Sequence, residues 1–339
     1  MDRPLDVTAT DYHTAGEPFR IVTDGAPSVE GATVRDRRET ARGSTRIDVV
    51  RRLLCHEPRG HADMYGCFLV PPDDDGADLG VLFWHKDGYS TACGHGTIAL
   101  GVWAVESGRI DAKPDGDTDV VLDVPSGRVT ARVTCRGGEV ERVTFRNVPS
   151  YVLARSVPVA TERGDLLVDV SYGGAIYGSV RAADAGLAVA PEHYTELIAL
   201  GREVKAALET TEFAQHPEDP RLSGVYGTIL YDELGATETA IRQRNVTVFA
   251  DGQVDRSPCG SGTAARLALL SADGLVGTDR VLVHDSIVDS TFRGRIVGET
   301  TVAGRPAVVP EVEGTAYRTG DHRFVLDPRD SLGTGFVLR

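Results

Sequence analysis

The stretch ACGHGTIALGVWAVESG, residues 92–108, has a counterpart in PCGSGTAARLALLSADG, residues 258–274. Each carries Cys-Gly-x-Gly-Thr, beginning at Cys93 and at Cys259. Phe83 and Phe249 each stand ten residues before the cysteine, and Gly108 and Gly274 each stand fifteen after it. A strand, a turn, a motif, a helix and a stop repeated at equal offsets indicate two copies of one unit. Ile98, Ala99, Leu100, Val102, Trp103, Ala104 and Val105 leave the first helix hardly a polar face. Ala264, Ala265, Leu267, Ala268, Leu269 and Leu270 do the same for the second, with Arg266 the exception. A helix apolar nearly all round is buried, and the two glycines read as left-handed stops. The expected fold is therefore α+β, with two pseudo-symmetric lobes. Each lobe curls its strands around one central helix that starts at Cys-Gly, and the site lies between the lobes.

The rest of the chain agrees with two lobes. Its 339 residues suit two units of roughly 150. Runs rich in Val, Ile, Thr and Tyr at 118–123, 128–135, 166–174, 225–232 and 244–251 read as strands. Residues 195–211 have apolar positions at helical spacing and read as a surface helix. A net charge of −14 argues against a nucleic-acid partner, which needs a basic face. The first residues are polar and charged rather than signal-like, and no apolar run approaches the roughly 20 residues that span a bilayer. Five cysteines at low density suit a reducing cytoplasm better than a disulfide scaffold.

The repeated motif has a chemistry of its own. A helix N-terminus presents N–H groups without internal partners and a partial positive charge. Glycines let a ligand approach that backbone, so the motif is an anion cradle suited to a carboxylate or phosphate. A cysteine at the same place is expected to have a lowered pKa. Two such units facing each other would hold a small carboxylic acid with one thiol on each side. Inversion of a carbon next to a carboxylate needs that arrangement, a base on one face and an acid on the other. Cys55, Cys67 and Cys135 read instead as small core residues. Cys93, His95 and Cys259 could supply three metal ligands, but C-x-H has no familiar zinc spacing and a fourth ligand is unidentified. No metal is expected, and G-x-G-x-x-G is absent at both glycine motifs, so neither is a dinucleotide fingerprint.

STACGHGTIAL (90–100) and VDRSPCGSGTAA (254–265) closely resemble the paired active-site motifs of the proline racemase family. That group contains proline racemases, hydroxyproline 2-epimerases and trans-3-hydroxyproline dehydratases. DYHTAGEPFRIV (11–22), similar to the family's opening strand, GHADMYGCFLVP (60–71), VDVSYGGAIYG (168–178), HDSIVDSTFRGRI (284–296) and the C-terminal GFVLR extend the resemblance over nearly the whole chain. It implies a fold like that of diaminopimelate epimerase. Residues 1–152, joined by a C-terminal strand at 326–339, would form the first lobe, and 153–325 the second.

By the same resemblance, Cys93 and Cys259 are the acid/base thiols. Gly94, His95, Gly260 and Ser261 hold the substrate carboxylate, and Asp255 the substrate ammonium. Phe249 packs against the pyrrolidine ring, or is plain core. His13, Tyr65 and His284 read as structural or as supporting the site from behind the residues that touch substrate. No cofactor is implied. The partner is a small molecule, proline or a hydroxyproline, and a homodimer is compatible with the family. Racemases and epimerases of this kind need both cysteines, whereas the dehydratases typically carry Thr at the second position, so Cys259 points to inversion. The text around the motifs nevertheless looks nearer the dehydratase branch, which keeps trans-3-hydroxy-L-proline dehydration as the alternative. A carboxylate-binding protein would not need cysteine on both faces. A pyridoxal-dependent racemase would need a Schiff-base lysine, and Lys86, Lys113 and Lys205 lie in no repeated motif. The sequence places no partner for a ring hydroxyl.

Overall fold

The computed structural model describes residues 5–338. Its first half runs β1 (Asp6–Thr14), β2 (Glu17–Asp24), α1 (Val34–Gly43), α2 (Thr45–Cys55), β3 (Gly66–Val70), β4 (Leu79–His85), β5 (Gly88–Tyr89), α3 (Gly94–Glu106), β6 (Gly116–Val124), β7 (Gly127–Arg136) and β8 (Glu139–Arg146). The second runs β9 (Ser150–Thr161), β10 (Gly164–Tyr172), β11 (Ile176–Arg181), α4 (Tyr194–Glu209), β12 (Val225–Ala236), β13 (Ala240–Phe249), β14 (Gln253–Asp255), α5 (Gly260–Ala272), β15 (Val281–Ser286), β16 (Thr291–Val302), β17 (Arg305–Gly314) and β18 (Ala316–Val325).

The two repeated stretches are the two central helices. α3 is buried from Gly94 through Ala104, and α5 from Gly260 through Leu270. Ile98, Leu100 and Val102 pack among Phe19, Val120, Val129, Val133, Val143 and Phe145 of the strands curled around α3. Leu267 and Leu270 pack with Ile241, Leu282, Ile296 and Val308, while Ala265 meets Tyr177 and Ile229. Gly108 and Gly274 both have φ of +69°, the left-handed stop that the sequence suggests. β17 pairs with β8 through Glu311 and Arg146 and with β9 through Ala307 and Tyr151, so the halves share one continuous sheet.

Outer helices cover the sheets. α4 lays Leu197, Leu200, Val204 and Leu208 on the second sheet. α1 and α2, which hydropathy does not reveal, cover the first with Val34, Ala41, Ile47, Val50, Leu53 and Leu54. The signal for α1 is a capping box: the Thr33 hydroxyl accepts from the Asp36 N–H, and the Asp36 carboxylate accepts from the Thr33 N–H.

Two expectations change. Residues 11–22 form a hairpin rather than one strand, because the chain reverses at Ala15 and Gly16, both at positive φ, and sets Thr14 opposite Glu17. The strand that returns to β1 is β18, not 326–339. Beyond Val325, Asp327 and Asp330 accept from the N–H groups of Arg329 and Leu332, and Gly333 and Gly335 take positive φ. These are turn devices. Only Phe336 makes a bridge, to Glu57, and Arg339 lies outside the described residues.

Candidate active site

The N-termini of α3 and α5 meet head to head. A Cβ built on Gly94 would lie 2.5 Å from the Gly260 Cα, and one on Gly260 would lie 2.8 Å from the Gly94 Cα. Glycine is thus required at both positions by the close approach of the two backbones. The helical ladders start only with Thr97 N–H to the Cys93 carbonyl (3.0 Å) and Thr263 N–H to the Cys259 carbonyl (2.7 Å). The N–H groups of Gly94, His95, Gly260 and Ser261 precede both ladders and flank one point between the lobes. Two positive helix ends converging there favour an anion.

The two cysteines stand at the N-cap positions of these helices. Cys93 has an extended backbone, its Sγ accepts from the Gly96 N–H at 3.2 Å, and both ring nitrogens of His95 lie 3.5 Å away. Cys259 sits at φ +62°, with its Sγ 3.8 Å from the Tyr177 hydroxyl and 4.0 Å from that of Ser261. Both residues are only 4% exposed. That burial overturns the expected fall in pKa. Removal from water pushes Cys93 well above the usual thiol value despite the Gly96 N–H, and it pushes Cys259 up to about 12. Nearby Asp255 adds to the rise at both. The helix ends are worth less to a thiolate than the water that burial removes.

Beside the thiols lies a carboxylate. Asp255 ends β14, and its Oδ1 accepts from the N–H (2.8 Å) and hydroxyl (2.7 Å) of Ser257. The Ser257 hydroxyl in turn accepts from the Cys259 N–H at 3.1 Å, tying the carboxylate to the second thiol's backbone. Burial raises Asp255 to about 6, with the Ser257 bonds working the other way. Its Oδ2 is 3.8 Å from Nδ1 of His95. Burial lowers His95 to about 3, so the ring is neutral at neutral pH.

The wall is aromatic and hydroxylated. Phe249 stacks on Tyr226, with centroids 5.4 Å apart, and also meets Tyr65 and His85. The Tyr65 hydroxyl bonds the Ser90 hydroxyl at 2.5 Å and the Tyr226 hydroxyl at 3.1 Å, joining the lobes, while its ring lies edge-on to His95. Ser90, Thr91, His85 and Tyr226 also line a cleft of about 500 Å³ that opens to the surface. Tyr65 therefore stands in the wall beside His95, a supporting place at the site. His284 bonds Thr263 within α5, and His13 accepts from the Gly16 N–H, so both support neighbouring backbone. Cys55, Cys67 and Cys135 are buried in the apolar packing. Sequence reasoning missed Tyr177, Tyr226 and Ser90, and also Glu17, a wholly buried carboxyl on β2. Among the described residues, no three His, Cys, Asp or Glu side chains converge as a metal-holding set, and no helix is long and apolar enough to cross a membrane.

Comparison with known proteins agrees with this geometry. The family described as proline racemase matches residues 9–337. A trans-3-hydroxy-L-proline dehydratase of Bacillus cereus is 42% identical over 331 residues, 98% of each chain. A 3-hydroxyproline 2-epimerase of Burkholderia multivorans is 44% identical over 334 residues, again 98% of each chain. The crystal structure of a hydroxyproline epimerase from Agrobacterium vitis, with bound trans-4-hydroxy-L-proline, matches with a TM-score of 0.91 at 33% identity, over 98% of this chain and 96% of that one. A PhzF-family phenazine biosynthesis protein of Bacillus anthracis, 12% identical with a TM-score of 0.55, shares the fold alone.

Proposed function

The chain belongs to the proline racemase family, and from that premise we propose that it inverts Cα of a hydroxyproline with Cys93 and Cys259 on opposite faces. The observation that carries the reading is the contact of two Cys-Gly helix ends. It aims two sets of free N–H groups and two thiols at one place. The lobes, 1–152 completed by β18 and the remainder of 153–325, close on the substrate from either side.

In this reading the substrate carboxylate enters between Gly94, His95, Gly260 and Ser261, and the ring ammonium pairs with Asp255. One cysteine, as thiolate, takes the Cα proton, while the other, as thiol, delivers a proton to the opposite face. The two exchange roles with each turnover. Charge building on the carboxylate is stabilised by the N–H groups, each on the order of 3 kcal/mol in a dry site. The raised thiol values fit this sequence. The resting pair is protonated, and one thiol gives its proton to solvent when the substrate brings an ammonium into the buried site, leaving thiol and thiolate. No cofactor is needed, because the cysteines carry the protons.

The ring is read by Phe249 and by the hydroxyl cluster of Tyr65, Ser90 and Tyr226. The cluster supplies the partner for a ring hydroxyl that the sequence does not place, and it favours hydroxyproline over proline. A second reading has its own support: relatives at 42 to 44% identity bear the name trans-3-hydroxy-L-proline dehydratase. Here Cys93 removes the Cα proton and the 3-hydroxyl leaves as water. One experiment separates the two. The protein is incubated in D₂O with L-proline, trans-4-hydroxy-L-proline and trans-3-hydroxy-L-proline. Deuterium at Cα with racemisation of L-proline, or with conversion of a hydroxyproline to its C2 epimer, supports inversion. Trapping of a cyclic imine from the 3-hydroxy isomer alone supports dehydration. Neither outcome with any of the three overturns the assignment.

A further inference from the structure

Glu17 has no part in the mechanism above, yet it is buried at the centre of the site. It opens β2, two residues before Phe19, so the two side chains share one face of the strand. The Phe19 ring lies edge-on to His95 at 5.7 Å, which gives that face its direction. Glu17's cross-strand neighbour is Thr14, whose hydroxyl donates to the His95 carbonyl at 2.9 Å. From the other lobe, the Arg256 N–H donates to Glu17 Oε2 at 2.7 Å, and Arg256 follows Asp255 directly. Glu17 therefore sits between His95 and Asp255. Its Oε1 is buried and has no hydrogen-bond partner.

Among the described residues no salt bridge reaches Glu17, and the Arg256 charge beside it offsets only part of the burial and of the Asp255 charge. The Arg256 guanidinium reaches the Asp63 carboxylate at 2.8 Å and the Val254 carbonyl at 2.6 Å, not Glu17. Facing Glu17 are Asp255, Arg256 and Asp63, with the Cys93 thiol and the neutral His95 on α3. Burial first, then the nearby Asp255 charge, outweigh the pull of Arg256 and push its carboxyl well above the usual range, toward the protonated acid.

A ring ammonium of the proline type has two N–H bonds. A single carboxylate oxygen meets one of them well, and the second needs an acceptor of its own. We propose that Glu17 is that second receptor: Oε1 takes the other N–H of the substrate ammonium, and the Glu17 proton passes to solvent as the substrate enters. The inference rests on the reading of Asp255 as the first receptor. Substrate binding would thus be coupled to release of about one proton at a pH where Asp255 is already ionised.

The test is calorimetric titration of the Cys93→Ser/Cys259→Ser chain, which has no thiol at the site to ionise and binds without turnover, at pH 8 in buffers of different ionisation enthalpy. The ligands are trans-3- and trans-4-hydroxy-L-proline, with planar pyrrole-2-carboxylate as a comparator that has a carboxylate but no ammonium. The expected result is release of about one proton with a hydroxyproline and none with pyrrole-2-carboxylate. Adding Glu17→Gln, which mimics the protonated acid, should abolish the release and weaken the hydroxyproline about tenfold. Pyrrole-2-carboxylate should still bind within about twofold, which also shows that the variant is folded. Release that persists in Glu17→Gln, or hydroxyproline binding with no release in its absence, overturns the proposal. Failure of all three ligands to bind would instead overturn the underlying functional reading.

Discussion

Cys93 and Cys259 occupy the same place in two copies of one unit, and the chain holds them by different means. Cys93 lies on extended backbone, and its sulfur takes a bond from the Gly96 N–H in its own helix. Cys259 is turned to φ +62°, feels the Gly262 N–H of its own helix, and also meets the hydroxyls of Tyr177 and Ser261. Duplication fixed where the two sulfurs stand. What surrounds each differs: both face a helix N–H, and Cys259 is braced by side-chain hydroxyls as well. A reaction that needs a base on one face only could dispense with the second position more easily than the first.

The largest expected effect tests that asymmetry. Cys93→Ser should remove both inversion and dehydration, by at least about a thousandfold, because a serine hydroxyl is not a base near neutral pH. Cys259→Ser should remove inversion to the same extent and leave dehydration of trans-3-hydroxy-L-proline within about tenfold. Cα deuterium exchange and imine formation read the two activities. Equal loss of both activities in both variants would show the sites to be functionally equivalent. Cys259→Thr is the less clean variant. A β-branched residue at φ +62° should cost about 1–2 kcal/mol of stability, visible as a lower urea midpoint.

The comparison also shows how far the sequence could be read. The repeat exposed α3 and α5 because their all-round apolar faces and glycine stops are local patterns. It exposed the cysteines for the same reason. α1 and α2 stayed hidden because their buried faces include arginines. Arg38 donates to the Tyr89 carbonyl, and Arg51 to the carbonyls of His85 and Lys86. Hydropathy counts such residues as surface. Glu17 was hidden for another reason: its partner Arg256 is 239 positions away. The thiol values misled because a helix end is visible in sequence, whereas the burial that outweighs it arises only when the two lobes meet.

A second prediction concerns what the two halves share. Gly94→Ala and Gly260→Ala each place a methyl group against the opposite helix end. Both should lower kcat/KM by about a hundredfold through misplacement of the cradle, with a stability loss of about 1–3 kcal/mol. The two losses should be alike because the contacts are reciprocal. A severe defect in one and none in the other would mean that only one helix end holds the carboxylate.

Asp255 gives a smaller, graded effect. Burial raises its pKa to about 6, so it is neutral below that value and charged above it. Its grip on an ammonium is therefore present above about pH 6 and fades as the pH falls. The affinity of a hydroxyproline should fall up to about tenfold per unit more steeply below pH 6 than above it. Pyrrole-2-carboxylate, which carries no ammonium, should not follow this profile. A parallel fall for both ligands would place the titrating group in the carboxylate cradle instead.

The smallest effect addresses the hydroxyl that only Cys259 has. The Tyr177 hydroxyl bonds Ser261 at 2.7 Å and lies 3.8 Å from the Cys259 sulfur, where it works against the rise in the thiol's pKa. Tyr177→Phe keeps the ring, so packing against Tyr226 should persist. It removes one weak bond to sulfur, so the thiolate of Cys259 should form less readily while Cys93, capped by Gly96, is untouched. Alkylation by iodoacetamide between pH 9 and 10 follows thiolate population. Peptide mass spectrometry should show Cys259 labelled about two- to fivefold more slowly in the variant, with Cys93 unchanged. The catalytic readout must be chosen with care, because the two directions of an inversion are tied by a fixed equilibrium constant. The variant can lower kcat/KM for both enantiomers but cannot change their ratio. The labelling rate is therefore the measurement that assigns the hydroxyl to one thiol. Equal slowing at both cysteines would mean that Tyr177 acts on opening of the lobes rather than on Cys259.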